Sequence, residues 1–254
     1  MNINNSRRFI KEPVLNILYD SIVSTISLQD GFNSLAVFDY IFSSVFIKIT
    51  GCLEQKMKLI CWEMATEDLE YRRKLLSDED NLGECSRYEA KNKIFKSLCK
   101  HYFSLTDTTE LEIPQTLYLI EIKKEFLSLF SNSHFKNIYP RDYMEWLNII
   151  DEWIKQKKDY KITLLKDSGL SSSLFGEENW DKDTKNQIKL SYNNMIIFRN
   201  TVAHNTKSPL KELPTIKTMR QPDFVYENYF IRFTVLILAD KIFISLFDKY
   251  LKAL

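Results

Sequence analysis

Glycine and proline are scarce in this chain, five and six among 254 residues, well below ordinary usage. Hairpin turns draw on both, so a many-stranded sheet is excluded in favour of long helices with sparse connections. An excess of one charge is also missing. Lys and Arg number 35 against 34 Asp and Glu, a net charge of +1. No cationic coat for nucleic acid exists, so such a partner must be met through a local site or patch. Cys52, Cys61, Cys85 and Cys99 show no Cys-x-x-Cys spacing, and with His101, His134 and His204 as the only histidines no local zinc constellation can be assembled. The cysteines read as reduced thiols in helices, which places the chain in a reducing cytoplasm. Long hydrophobic runs are absent as well. Residues 1–12 carry Arg7 and Arg8 without an uninterrupted apolar region behind them. The most apolar stretch, 35–49, is short for a membrane span and is broken by Asp39, Tyr40, Ser43, Ser44 and Lys48. The expectation is a soluble cytoplasmic protein with no membrane partner.

What is present is helical periodicity. Apolar residues make up 44% of the chain, enough for a sizeable core. Val14, Leu15, Leu18, Ile22 and Ile26 share a helix face within 14–28, and Asp30-Gly31-Phe32-Asn33 reads as a turn. Leu35, Phe38, Ile41, Phe42, Val45, Phe46, Ile49, Leu53, Met57, Ile60 and Met64 then recur at three and four, predicting one long helix with Gly51 as a candidate bend. Its charged end, 63–73, is expected to project into solvent, ahead of a polar turn over 77–83. Two further helices are predicted over 90–102 and 114–130, the second with Pro114 near its first turn. Asn137 to Asp142 introduce another, with Tyr143, Trp146, Leu147, Ile150, Trp153 and Ile154 on one stripe and a basic end from Lys155 to Lys161. The Ser/Gly-rich stretch 167–178 is the candidate mobile loop. Helices are expected again over 181–199 and 225–254, and no internal repeat is visible. The fold class is all-α, one helical domain over 1–254. Helices 143–154 and 229–250 offer more apolar surface than one four-helix core needs, a hint of self-association.

Common catalytic signatures are missing: no Gly-rich phosphate loop, no Gly-x-Ser-x-Gly and no His-Glu-x-x-His. Glu177/Glu178 and Asp181/Asp183 lie in a polar loop and read as helix caps. The distinctive string is Met195-Ile196-Ile197-Phe198-Arg199-Asn200-Thr201-Val202-Ala203-His204-Asn205. It resembles the signature of HEPN domains (higher eukaryotes and prokaryotes nucleotide-binding), where an Arg is followed by a polar residue and, after four intervening positions, a His. The place in the chain is similar too, before a loop and a long last helix. The resemblance implies a HEPN-like antiparallel bundle, its core over about 33–76 and 139–254, with 86–131 as a helical insertion for target selection or a partner. It also implies metal-independent RNA cleavage that leaves a cyclic phosphate end. No cofactor is implied. Two copies of the motif would meet across a homodimer, in antiviral defence, abortive infection or a toxin system with an antitoxin or regulatory protein as partner. In toxins paired with nucleotidyltransferase antitoxins a Tyr often follows the His by two positions; here Thr206 stands there, which argues against regulation through that Tyr.

The assigned site residues are Arg199 and His204, with Asn200 supporting and no metal. Arg199 stays charged at any working pH and can grip a phosphate with two N–H groups. His204 titrates near neutrality and can pass protons to or from the 2′-hydroxyl or the leaving oxygen. The two lie five apart, about 140° around an ideal helix, so one site needs the helix to bend or end near His204, as Asn205, Ser208 and Pro209 suggest. Two other readings remain open: a non-catalytic HEPN module binding RNA or nucleotide, and a helical interaction protein in which His204 caps a helix and Arg199 pairs with a core carboxylate. Glu54 is a candidate partner for Arg199 but reads as part of a solvated face, outside the site. His101 and His134 read as surface or packing residues, and Lys155, Lys157, Lys158, Lys161 and Lys166 as a solvated basic run.

Overall fold

The computed structural model describes residues 3–26, 34–77, 85–131, 133–156, 162–166, 173–175, 192–197, 199–200 and 228–254. Nearly all of these are helical. Helices α1 (Ile3–Lys11), α2 (Leu15–Thr25), α3 (Ser34–Glu67), α4 (Leu69–Leu76) and α5 (Tyr88–Leu105) precede the strand β1 (Glu110–Ile113). Helices α6 (Gln115–Ser131), α7 (His134–Ile138) and α8 (Pro140–Gln156), strand β2 (Ile162–Leu165), helical turns at 192–197 and 199–200, and α9 (Tyr229–Ala253) follow. No helix among the described residues is long and apolar enough to cross a membrane.

The stripe read from the sequence builds α3. Phe38, Phe42, Phe46, Ile49, Leu53, Met57, Ile60 and Met64 are all fully buried, while Gly51 sits exposed within an unbroken helix. Helix α9 is different: buried residues occur all round it, including Arg232, Thr234 and Asp240. A stretch buried on every side, as 230–240 is, belongs at the centre, and α9 is contacted by α1, α3, α5, α6, α8 and β1. Asn228 caps it, its side-chain oxygen accepting from the Phe230 N–H at 2.9 Å while its amide donates to the Asp142 carbonyl at 2.5 Å. That bond fixes α9 to α8, and the Trp146 indole N–H reinforces it by donating to Thr234 Oγ1 at 2.8 Å. Around this joint Phe42 stacks on Phe135 with centroids 4.1 Å apart, and Phe130 meets Phe230 edge-on at 4.9 Å.

Helices α5 and α6, spanning the expected insertion, both pack directly on α9 and add Phe95, Leu98, Phe126 and Phe130 to the same core. They consume the apolar surplus attributed to self-association: Tyr143, Trp146, Ile150 and Trp153 are buried within the one chain, as is most of α9.

Three local features depart from the sequence reading. The charged end of α3 does not project as a whole, because Glu63 is buried and accepts from Arg7 Nε of α1 at 2.8 Å. The helix breaks at Asp68, whose carboxylate takes the Glu70 and Tyr71 N–H groups at 2.8 and 2.9 Å and so caps α4; a short side chain competing for backbone protons ends one helix and starts another. A two-stranded antiparallel ribbon was also unforeseen. It pairs Glu110 with Leu165 and Ile113 with Ile162, in strands too short for alternation to stand out. Finally, Cys85 precedes α5 rather than lying in a helix, although all four cysteines are free. The turn at 30–33, the stretch 78–83 and the 225–227 end of the expected last helix lie outside the described residues.

Candidate functional site

The segment before the motif is helical with a clear inner face. Tyr192, Met195 and Ile196 are buried, and Arg199 follows them at the next position on that face, while Asn194, Ile197 and Asn200 are exposed. This register explains where Arg199 goes. Its Nη1 reaches Glu54 Oε2 on α3 at 3.1 Å, with the two side chains 23% and 17% exposed. The other oxygen of Glu54 takes Lys58 Nζ, one turn along α3, also at 3.1 Å. Glu54 is therefore no part of a free solvated face; it is the carboxylate that orients Arg199. Asn200 is exposed. His204 lies outside the described residues, together with the helix end expected near it, Asn205, Ser208 and Pro209.

Beneath Arg199 lies a buried polar layer that the sequence did not reveal. Lys91 of α5 is 2% exposed and donates to the carbonyls of Cys85 and Ser86 at 2.6 and 2.8 Å. Its Nζ stands 5.4 Å from the centre of the Tyr192 ring. Burial pulls this amine down to about 7, with Cys85 and Glu54 acting to raise it and the Arg199 charge acting to lower it further. The Tyr192 hydroxyl is buried and finds no hydrogen-bond partner among the described residues. Burial pushes the phenol far above its usual range, against a smaller pull from Arg199. Tyr88 meets Tyr192 edge-on and stacks on Phe175.

Residues 173–175 close this side. The Leu174 N–H donates to Asn92 Oδ1 at 2.9 Å, and Leu174 and Phe175 are buried. Within the stretch read as mobile, these three residues are docked; the rest of 167–178 lies outside the described residues, as do Glu177, Glu178, Asp181, Asp183, Lys157, Lys158 and Lys161. Lys155 and Lys166 are exposed, the second with its Nζ 3.5 Å from the Thr106 carbonyl.

The other two histidines stand apart from Arg199. His101 is packed edge-on against Tyr71, with Nδ1 2.7 Å from the Ser97 carbonyl and Nε2 3.3 Å from Asp68 Oδ2. His134 approaches the Ile26 carbonyl at 3.2 Å. Among the described residues no group of three or more His, Cys, Asp or Glu side chains is placed to hold a metal ion.

Chemically, the arrangement presents an oriented, part-exposed guanidinium beside a second accessible cation, backed by a buried amine. One carboxylate holds both accessible cations. The Glu54 contact engages one end of the guanidinium, which carries five N–H donors in all. Two of the residues that build this, Glu54 and Lys58, were open to sequence reasoning as an i,i+4 pair. Lys91 is missed because its sequence neighbours Glu89, Asn92 and Lys93 make it read as part of a solvated helix start, although it falls on the stripe of Tyr88, Ile94, Phe95 and Leu98. Compared with known proteins, the chain matches no family model, no curated protein and no solved structure.

Proposed function

We propose that this protein is a metal-independent endoribonuclease of HEPN type, with Arg199 binding the scissile phosphate and His204 moving the proton. The string from Phe198 to His204 carries the reading, and the placement of Arg199 supports it. A guanidinium held by Glu54 and still part-exposed is oriented before an anion arrives, which lowers the cost of binding. In the reaction the 2′-oxygen attacks phosphorus, the bond to the 5′-oxygen breaks, and a 2′,3′-cyclic phosphate and a 5′-hydroxyl result. His204 takes the 2′-proton or supplies one to the leaving oxygen. A homodimer would bring two such motifs to one RNA, with Asn200 as the neighbour that positions the pair. The HEPN-like core over about 33–76 and 139–254, a cytoplasmic setting, a role in antiviral defence or abortive infection, and control by an antitoxin or regulatory protein belong to the same proposal.

The test is incubation of purified protein with total RNA in EDTA, followed by end-group analysis. Cleavage with cyclic phosphate ends that is lost in both Arg199→Ala and His204→Ala is the expected result; equal cleavage by both variants removes the proposal.

One observation favours a second reading. Arg199 already has a carboxylate partner, as the helical interaction protein requires; a non-catalytic RNA- or nucleotide-binding module is the other alternative. A binding module retains RNA without turnover and loses a salt-sensitive interaction in Arg199→Ala. An interaction protein changes only in stability.

A further inference from the structure

Glu54 serves two cations at once, Lys58 through Oε1 and Arg199 through Oε2, each at 3.1 Å. We propose that Lys58 and Arg199 together form a phosphodiester-binding subsite in which Glu54 holds the anion's place until a nucleic-acid backbone arrives. This rests on the RNA reading of the same site.

Access supports the exchange. Lys58 is 41% exposed and Arg199 23%, so an incoming anion can reach both, while Glu54 is the most covered of the three at 17%. Part-exposed ion pairs open at little cost because water solvates both partners. A phosphate, by contrast, offers a guanidinium two oxygens in the fork geometry it prefers. The carboxylate is tethered one helical turn from Lys58, so it keeps ammonium and guanidinium converged on one point without filling it permanently. Lys91, buried and spent on the Cys85 and Ser86 carbonyls, is not available to the incoming anion. Lys74 provides the contrast. It pairs with Glu70 at 3.0 Å in the same i,i+4 spacing, but both side chains are open to solvent at 65% and 76%.

The experiment measures binding of a short, fluorescent 2′-O-methyl RNA oligonucleotide over a range of salt concentrations. Blocking the 2′-oxygen prevents turnover. Lys58→Gln is expected to weaken binding about 3- to 10-fold and to lower the slope of log affinity against log salt by about 0.7, the share of one phosphate contact on a single strand. Lys74→Gln is expected to bind as the unaltered protein does. Glu54→Gln, which keeps the shape but withdraws the competing charge, is expected to bind more tightly. Three results overturn the proposal: no binding by the unaltered protein at low salt, Lys58→Gln indistinguishable from Lys74→Gln, or weaker binding by Glu54→Gln. Lys58-dependent binding by a protein that leaves ordinary RNA intact upholds the subsite and removes the nuclease reading. Cleavage of ordinary RNA with binding indifferent to Lys58 does the reverse.

Discussion

Lys91 donates to two carbonyls, those of Cys85 and Ser86, and a neutral amine has two protons for those two bonds. Burial holds it down at about 7, against about 10.4 for an unfolded lysine. Between these values the unfolded chain carries a proton that the folded chain lacks, so this residue makes folding more favourable as pH rises from about 7. Below 7 the fold must accept a buried charge and the gain is absent. Lys91→Met removes the titration. Urea unfolding of both proteins at pH 7 and 9 should show the original chain gaining about 2 kcal/mol relative to the variant. A difference independent of pH contradicts the assignment. Thiols and phenols raised by burial, such as Cys85 and Tyr192, act in the opposite sense from about pH 9 but are common to both proteins. Legibility at this scale was uneven. Arg199 stands out because a local string marks it, and Glu54 is nameable as its candidate partner though not as part of the site; Lys91 acquires its meaning only when α5 is brought beside residues 192–199, a long-range event that no local pattern encodes.

Between elements, the most deeply buried ion pair among the described residues is Lys56 with Asp240, each 1% exposed and 2.6 Å apart. Lys56 also donates to the Glu12 carbonyl, and Asp240 accepts the Val14 N–H at 2.8 Å, so the joint between α1 and α2 is bound to α3 and α9 together. Burial raises the Asp240 carboxyl above its ordinary range, opposed by the Lys56 charge. Removing one partner leaves the other buried and alone. Lys56→Met and Asp240→Ala are each expected to cost about 3–5 kcal/mol. Their combination should cost clearly less than the sum, as a double-mutant cycle by thermal unfolding would show; simple additivity would refute the coupling. Gly51 gives the opposite case. It lies in the middle of α3 with nothing within 4 Å of an added Cβ, so Gly51→Ala should stabilise by about 0.5–1 kcal/mol in the same assay, and destabilisation would show a constraint at that turn. The helices themselves were readable, since α3, α5, α6, α8 and α9 follow apolar spacing. The break at Asp68 and the ribbon β1–β2 were not: one depends on a capping side chain winning against helix continuation, the other on pairing between residues about fifty positions apart.

For the whole molecule, one core runs from Ile10 to Tyr250 and α9 is its axis. Composition anticipated this all-α outcome, because few glycines and prolines leave long helices as the way to bury a large apolar share. The aromatic stripes of α8 and α9 are apolar faces, as their spacing predicts, and helices of the same chain cover them: α6 packs on both, α5 on α9. The proposed homodimer would thus need another face, and sedimentation of the purified protein tests it: the proposal expects a two-chain mass, and a single-chain mass opposes the composite site. Nuclease activity itself can be read in one assay. Total RNA incubated in EDTA with the protein, with Arg199→Ala and with His204→Ala should yield 2′,3′-cyclic phosphate ends from the first alone. Intact RNA in every lane, or equal cleavage in all three, would contradict it.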